Sequence, residues 1–203
     1  MKLKICGMKY ADNIRDVANL SPDFMGFIFY PKSKRFVGED FTMPEMLSKI
    51  KKVGVFVNDS IENIFEQVKK HSLDFVQLHG DESPEQTSKV FKTFEILDVR
   101  VIKAFGIDDQ FDFSILMEYE NCCDYFLFDT KSNEYGGSGN RFDRNILKYY
   151  KLSKPYFLSG GIDSINVGEL CPFAIDVNSK FEIEPGLKDS NKLKILKDEL
   201  SGK

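Results

Sequence analysis

Short, mostly apolar runs alternate along this chain with segments whose apolar residues have helical spacing. Tyr125–Asp129 is aromatic-rich and unbroken up to its final carboxylate, as in a strand buried on both faces. Ile61–His71 instead places apolar residues on one helical face behind a Ser60 cap. The runs predict eight strands: Leu3–Cys6, Phe24–Phe29, Lys52–Val57, Asp74–Leu78, Arg100–Phe105, Tyr125–Asp129, Tyr156–Leu158 and Ala174–Val177. The helical spacing predicts Tyr10–Leu20, Phe41–Ile50, Ile61–His71, Pro84 to about Phe91, Asp108–Tyr119, Asp143–Tyr150, Asp163–Leu170 and Lys188–Leu200.

The regular alternation of strand and helix predicts the fold class. Eight strand–helix units of roughly 25 residues each have the rhythm of an α/β protein, a (β/α)8 TIM barrel. No linker, low-complexity segment or change of composition divides residues 1–203, so we expect a single domain. A doubly wound open sheet is the competing architecture.

Composition narrows the class of protein further. The chain has 203 residues, 42% of them hydrophobic, and a formal net charge of -4, which is typical of a soluble globular protein and lacks the basic excess of a nucleic-acid binder. No apolar run approaches the roughly 20 residues of a membrane span, and the first residues do not resemble a signal peptide. We therefore expect a cytoplasmic protein, with no nucleic-acid or membrane partner, and a monomer by default.

The candidate chemistry lies where the predicted strands end, because these ends share one face of a barrel. Cys6 ends the first strand and Asp129 the sixth, just before a loop that closes with Gly136–Gly139. Lys4 is on the same face as Cys6, and its ammonium would favour the thiolate. The alternative interpretations are a buried structural cysteine and a carboxylate that caps its loop.

A phosphate site is predicted after strands seven and eight. Gly160-Gly161 and Asn178-Ser179 follow these strands, where backbone N–H groups and helix N-termini favour an anion. The alternative for the glycine pair is an ordinary tight turn. Arg35, in the loop after the second strand, suits a carboxylate on a substrate, although a solvated basic loop is the simpler interpretation.

The sequence lacks the residues that a multi-histidine metal centre, a zinc site, a disulfide framework or a nucleotide phosphate loop would need. The two histidines, His71 and His79, cannot build a multi-histidine metal centre, although His79 and Gln77 are placed to line the mouth of a barrel. The four cysteines fit neither a zinc spacing nor a disulfide framework, and Gly136–Gly139 has no phosphate-loop lysine. We expect no metal and no cofactor.

The motifs together resemble the phosphoribosylanthranilate isomerase family over essentially the whole chain. Their order and spacing carry the resemblance: Lys4–Gly7, Gly26–Phe29, Ser33–Arg35, Gly54–Phe56, Val76–Gly80, Phe128–Thr130, Gly136–Gly139, Phe142-Asp143, Gly160-Gly161, Asp176–Ser179 and Pro185–Asp189. The resemblance implies a barrel without cofactor that performs an Amadori rearrangement of a phosphorylated substrate in tryptophan biosynthesis.

The resemblance also implies a role for each candidate residue. Cys6 would be the general base, Asp129 the general acid, and Arg35 the ligand of the anthranilate carboxylate. Asp176 would assist near the ribose. The phosphate would be held by a set of small residues after the last two strands: Gly160, Gly161, Asn178 and Ser179.

Three residues depart from the family pattern, and two other functions remain open. Lys34 stands where a proline is usual, and Asn178 and Lys180 replace a small serine and glycine, although Lys180 could itself pair with phosphate. Another sugar-phosphate isomerase or epimerase on the same barrel would not depend on Arg35. A non-catalytic phosphometabolite-binding protein would bind its ligand without turnover.

Overall fold

A computed structural model describes residues 1–44, 49–131, 143–163 and 170–202 of the chain. Four predicted segments or motifs lie wholly or partly outside these ranges. They are the glycine loop Gly136–Gly139, the first residue of the motif Phe142-Asp143, the centre of the predicted helix Phe41–Ile50, and most of the predicted helix Asp163–Leu170. That residues 1–203 form a single domain stays a prediction.

Eight parallel strands close into a barrel in which each strand pairs with the next and the eighth pairs with the first. This confirms the (β/α)8 architecture and shows that the open-sheet alternative is wrong. Each predicted strand is present, the last two with the predicted bounds and the other six with one or both ends shifted by one or two residues. The strands are β1 Lys2–Ile5, β2 Phe24–Ile28, β3 Lys51–Phe56, β4 Phe75–Leu78, β5 Arg100–Ile107, β6 Tyr125–Thr130, β7 Tyr156–Leu158 and β8 Ala174–Val177.

Helices lie on the outside of the barrel, and the helix Ile61–His71 begins directly after the Ser60 cap that the sequence indicates. The α-helices of the described ranges are α1 Ala11–Ala18, α2 Ile61–His71, α3 Pro84–Glu95 and α4 Ser190–Leu200. The Ser60 hydroxyl accepts a hydrogen bond from the Asn63 N–H at the start of α2. Ser83 and Gln86 form a capping box at the start of α3, which runs to Glu95 rather than ending near Phe91.

Three predictions of secondary structure are wrong in detail. Two predicted α-helices are shorter 3₁₀ helices, Phe113–Tyr119 and Arg144–Tyr149. The closing helix begins at Ser190 rather than Lys188, because Asp189 caps it by accepting from two backbone N–H groups. A 3₁₀ turn Ser179–Phe181 and a hairpin of β9 Glu182–Glu184 and β10 Leu187–Lys188, both absent from the prediction, lie between β8 and α4.

The inside of the barrel changes from apolar to polar along the strands. Residues that alternate along each strand point inward, and those towards the strand N-termini form an apolar cluster: Phe24, Val53, Phe75, Ile102, Ala104, Leu127, Phe157 and Ala174. Towards the strand C-termini the buried inward positions include Lys4, Gln77 and Asp176. The polar end is therefore the end at which barrel enzymes carry their sites. In the described ranges, no helix is long and apolar enough to cross a membrane.

Candidate active site

Lys4 and Asp176 form a buried ion pair at the polar end of the barrel. The two residues face each other in the register of β1 and β8, and Lys4 Nζ lies 2.9 Å from Asp176 Oδ2. Their side chains are 0% and 5% exposed. Asp176 Oδ1 is buried and has no hydrogen-bond partner among the described residues. Burial raises the pKa of Asp176 above its ordinary value, against the opposing effect of Lys4.

The Cys6 thiol lies just beyond Lys4, in a space left by a glycine. A Cβ atom on Gly26 would come within 2.7 Å of Cys6 Sγ, so the glycine in the middle of β2 makes room for the sulfur. Burial raises the pKa of the Cys6 thiol, while Lys4 and Lys188 lower it and Asp176 raises it further. The effect of Lys4 on the thiol is thus in the expected direction, but burial outweighs it in the protein without a ligand.

Asp129 and His79 form a second polar group at the same end. His79 Nε2 lies 3.6 Å from Asp129 Oδ2, and Gln77 Nε2 lies 2.7 Å from His79 Nδ1. The other carboxylate oxygen of Asp129 accepts a hydrogen bond from the Thr130 N–H at 2.8 Å. The Asp129 and His79 side chains are 15% and 19% exposed, so both are accessible to a ligand in the mouth of the barrel. His79 is therefore accessible at the mouth of the barrel, whereas Gln77 is fully buried and contacts the ring of His79.

Asp176 connects the two groups electrostatically. Its charge contributes to the raised pKa of Cys6, and the charge of Asp129 contributes to the raised pKa of Asp176. The residues at the ends of the first, sixth and eighth strands therefore share one site. A thiol, an ammonium and two carboxyl groups in one water-poor mouth can exchange protons with a bound molecule.

Arg35 contacts a carboxylate of the chain itself, which the sequence analysis missed. Its guanidinium donates to Glu182 from Nε at 2.9 and 3.0 Å and from Nη2 at 2.7 Å. Lys188 Nζ also donates to Glu182, at 2.6 Å, and to the Asn178 side-chain oxygen at 2.6 Å. Lys188 belongs to Pro185–Asp189, one of the motifs that carry the resemblance, although no role was assigned to it. Glu182 lies in none of these motifs, so the sequence did not indicate it.

The predicted phosphate-binding residues are only partly brought together. Gly160 and Gly161 have φ angles of +84° and +60°, a left-handed backbone that favours glycine, directly after β7. Asn178 and Ser179 follow β8, but the next element is the 3₁₀ turn and not an α-helix, and Asn178 already accepts a hydrogen bond from Lys188. Lys180 is exposed. The phosphate roles of these residues stay predictions.

Within the described ranges, no group of three or more His, Cys, Asp or Glu side chains is arranged to hold a metal ion. The polar groups of the mouth instead bind one another.

Comparison with known proteins connects this geometry to a family. The family model described as N-(5'-phosphoribosyl)anthranilate (PRA) isomerase matches residues 3–198. The N-(5'-phosphoribosyl)anthranilate isomerase of Parabacteroides distasonis is 49% identical, with 96% of this chain and 90% of the relative covered. That of Phocaeicola vulgatus is 42% identical, with 93% and 92% covered.

Solved structures agree with the family match. The phosphoribosyl anthranilate isomerase of Thermotoga maritima is similar with a TM-score of 0.83 and 34% identity, and each chain is covered completely. A phosphoribosyl anthranilate isomerase in complex with reduced 1-(o-carboxyphenylamino)-1-deoxyribulose 5-phosphate is similar with a TM-score of 0.79 and 28% identity, again with full coverage of both chains. The chain therefore belongs to the N-(5'-phosphoribosyl)anthranilate isomerase family.

Proposed function

We propose that this chain isomerises N-(5'-phosphoribosyl)anthranilate to 1-(2-carboxyphenylamino)-1-deoxyribulose 5-phosphate, with Asp129 as general acid and Cys6 as general base. The observation that carries the assignment of roles is the position of Asp176, which interacts electrostatically with both residues at one end of the barrel. The family supports the reaction and its place in tryptophan biosynthesis.

The reaction begins at Asp129. The protonated carboxyl gives its proton to the furanose ring oxygen, the C1–O bond breaks, and the nitrogen lone pair forms a Schiff base at C1. His79, 3.6 Å away, and the Thr130 N–H, 2.8 Å away, hold the Asp129 carboxyl in place. The charge of Asp129 in turn contributes to the raised pKa of Asp176, so the two carboxyl groups interact electrostatically.

The second proton transfer belongs to Cys6. As a thiolate it removes the proton from C2, the electron pair of the C2–H bond forms a C1–C2 double bond, and the π pair of the Schiff base returns to nitrogen. The resulting enolamine becomes the ketone when C1 gains a proton and the C2 hydroxyl loses one. Lys4 and Lys188 stabilise the thiolate against the effect of burial. Asp176 holds Lys4 at 2.9 Å and lies near the expected position of the ribose.

The remaining site residues bind the two ends of the substrate. Arg35 receives the anthranilate carboxylate, since a planar guanidinium matches a carboxylate in a bidentate pair. The phosphate is held by backbone and small side chains after β7 and β8, namely Gly160, Gly161, Asn178 and Ser179. This mechanism uses no metal and no cofactor.

The loss of the substrate's anthranilate fluorescence on isomerisation tests the activity. The purified chain is expected to cause this loss, and Cys6→Ala and Asp129→Asn are each expected to lower kcat by about 10²–10⁴-fold without a change in fold. Cys122→Ala, which changes a cysteine in another part of the barrel, serves as the control. Full activity in both site variants would overturn the assignment of roles.

The same proposal extends to a cytoplasmic monomer with no nucleic-acid or membrane partner. A relative from Thermotoga maritima is described as dimeric and has been studied as monomers. Light scattering of the purified chain decides between the two states, and a mass of two chains would contradict the monomer.

A further inference from the structure

Arg35, Glu182 and Lys188 form a buried group of three charges beside the reactive thiol, here called the Glu182 cluster. Arg35 is in the loop after β2, Glu182 is the first residue of β9, and Lys188 is the last residue of β10. The side chains of Arg35, Glu182 and Lys188 are 12%, 4% and 0% exposed. Gly186, at the hairpin turn, also donates its N–H to Glu182 at 3.1 Å. The hairpin therefore delivers a carboxylate to Arg35 in a fixed position.

The hydrogen bonds of the Glu182 cluster use only one edge of the Arg35 guanidinium. Glu182 engages Nε and Nη2, which form the side edge of the planar group. Among the described residues, none accepts a hydrogen bond from Nη1. The outer edge, formed by Nη1 and the second N–H of Nη2, has the geometry that a further carboxylate needs for a bidentate pair.

The Arg35 stem passes close to the catalytic end of the barrel. A Cβ on Gly7 would lie 2.7 Å from Arg35 Cδ and 2.7 Å from the Asn178 side-chain oxygen, so only glycine allows this approach directly after Cys6. Lys188 is near enough to Cys6 to lower the pKa of the thiol. A ligand of the free guanidinium edge would therefore be a neighbour of the thiol.

The charges of the Glu182 cluster do not balance. Two cations share one carboxylate, which leaves one positive charge in a buried place. Burial lowers the pKa of Lys188 to about 8, with Glu182 opposing this shift and Arg35 adding to it. A single additional anion would make the cluster neutral.

We propose that Glu182 is a positioning residue that fixes the plane of Arg35, so that the outer guanidinium edge receives the aromatic carboxylate of the substrate. The bound carboxylate completes the charge balance of the Glu182 cluster. Glu182 orients Arg35 through the side edge of the guanidinium, and the outer edge binds the carboxylate of the substrate. Lys188 keeps Glu182 in place. This inference rests on the proposed function, and it assigns the enzyme's specificity for a carboxylate-bearing substrate to Arg35 and Glu182.

A charge-conserving double variant tests the inference. Glu182→Gln/Lys188→Met weakens the clamp on Arg35, because glutamine lacks the charge and has only one accepting oxygen, but it leaves the cluster with the same net charge. Replacing both members of a buried pair spares the fold. The probes are reduced 1-(o-carboxyphenylamino)-1-deoxyribulose 5-phosphate and the same compound without its carboxyl group. Glu184→Gln/Lys194→Met, an exposed pair of changes with the same charges, is the control.

We expect the double variant to bind the carboxylate probe about 10- to 100-fold more weakly, because one oriented charge-assisted pair is lost. Loss of the hydrogen bond from Lys188 to Asn178 should affect both probes alike, so the carboxyl-free probe should lose much less affinity than the carboxylate probe. The control should bind both probes normally. Equal weakening of both probes, or no weakening of either, would overturn the inference.

A second measurement uses the unmodified protein and so does not depend on how a variant folds. Three charged or titratable groups face Lys188: Glu182, Arg35 and Cys6. A bound carboxylate should raise the pKa of Lys188. At about pH 8 the protein should therefore take up more protons when it binds the carboxylate probe than when it binds the carboxyl-free probe. Calorimetry in buffers of different ionisation enthalpy measures the difference. Equal uptake would contradict the inference.

The two proposals fail in different ways. If the unmodified chain does not distinguish the two probes and Arg35→Met changes nothing, the proposed role of Arg35 and the inference both fail. If Arg35→Met abolishes the distinction but Glu182→Gln/Lys188→Met keeps it, only the inference about Glu182 fails.

Discussion

Replacing Lys4 by methionine would leave a buried carboxylate without its cation. Methionine has nearly the length of the lysine stem, so the main change is the loss of the charge that lies 2.9 Å from Asp176. The Asp176 side chain is 5% exposed, and its other oxygen already lacks a partner among the described residues. Water therefore cannot easily compensate the lost interaction.

The expected cost follows from burial. Breaking one side of a buried ion pair destabilises a protein by about 3–5 kcal/mol, and we expect Lys4→Met to fall in this range near neutral pH. The double variant Lys4→Met/Asp176→Asn, which removes both charges, should recover at least half of the loss. The rescue separates the cost of an unpaired charge from the cost of altered packing.

The pH dependence of this deficit has a definite sign. The native pKa of Asp176 is raised, chiefly by burial and against the effect of Lys4, so removing Lys4 raises it further. A carboxylate whose native pKa exceeds its unfolded value costs stability when it is ionised, and this cost disappears as it becomes protonated. The stability deficit of Lys4→Met should therefore shrink as the pH falls from neutral towards the unfolded pKa of the carboxyl group.

Urea unfolding at neutral and at mildly acidic pH measures these differences. Lys4→Met, Lys4→Met/Asp176→Asn and the unmodified chain are compared at each pH. A deficit below about 1 kcal/mol, the range of exposed pairs, would refute the buried-pair reasoning. A double variant no more stable than Lys4→Met, or a deficit that grows as the pH falls, would refute the assignment of the cost to Asp176.

Two further predictions concern the loops at the same end of the barrel. Lys103→Met should lower the free energy of unfolding by about 3–5 kcal/mol, measured with urea, because Glu82 loses the buried ammonium 2.8 Å away. The exposed Lys89→Met should have no effect, and equal effects of the two changes would contradict the prediction. Gly160→Ala should lower the free energy of unfolding by about 1–3 kcal/mol, and by more than Gly38→Ala does. Both glycines have a left-handed backbone, but only at Gly160 would the new methyl group clash with Thr130. Equal losses in the two variants would contradict this reasoning.

The barrel could be predicted because the sequence pattern that identifies each strand or helix lies within that element. Each strand is a short, mostly apolar run, and in the sequence these runs alternate eight times with segments of helical spacing such as Ile61–His71. Once the topology is given, the ends of all strands lie on one face. Cys6 and Asp129 could therefore be placed together although 122 residues separate them in sequence.

The parts that were missed depend on contacts that no local pattern encodes. The two-residue strand Leu187–Lys188 is too short for a pattern to be visible. Glu182–Glu184 lacks the apolar run that identified the equally short strand Tyr156–Leu158. The pairing of Arg35 with Glu182 joins residues that lie 147 positions apart in the chain. The dominance of burial over Lys4 at Cys6 requires knowledge of how deeply the thiol lies.

The most direct test of the central claim, that Asp129 is the acid and Cys6 the base, is the kinetic isotope effect on isomerisation of substrate deuterated at C2. In Cys6→Ser, removal of the C2 proton should limit the rate, and a large primary isotope effect is expected. In Asp129→Asn, ring opening should limit the rate, and the isotope effect should be close to unity. The same isotope effect in both variants, or the reverse order, would contradict the assignment.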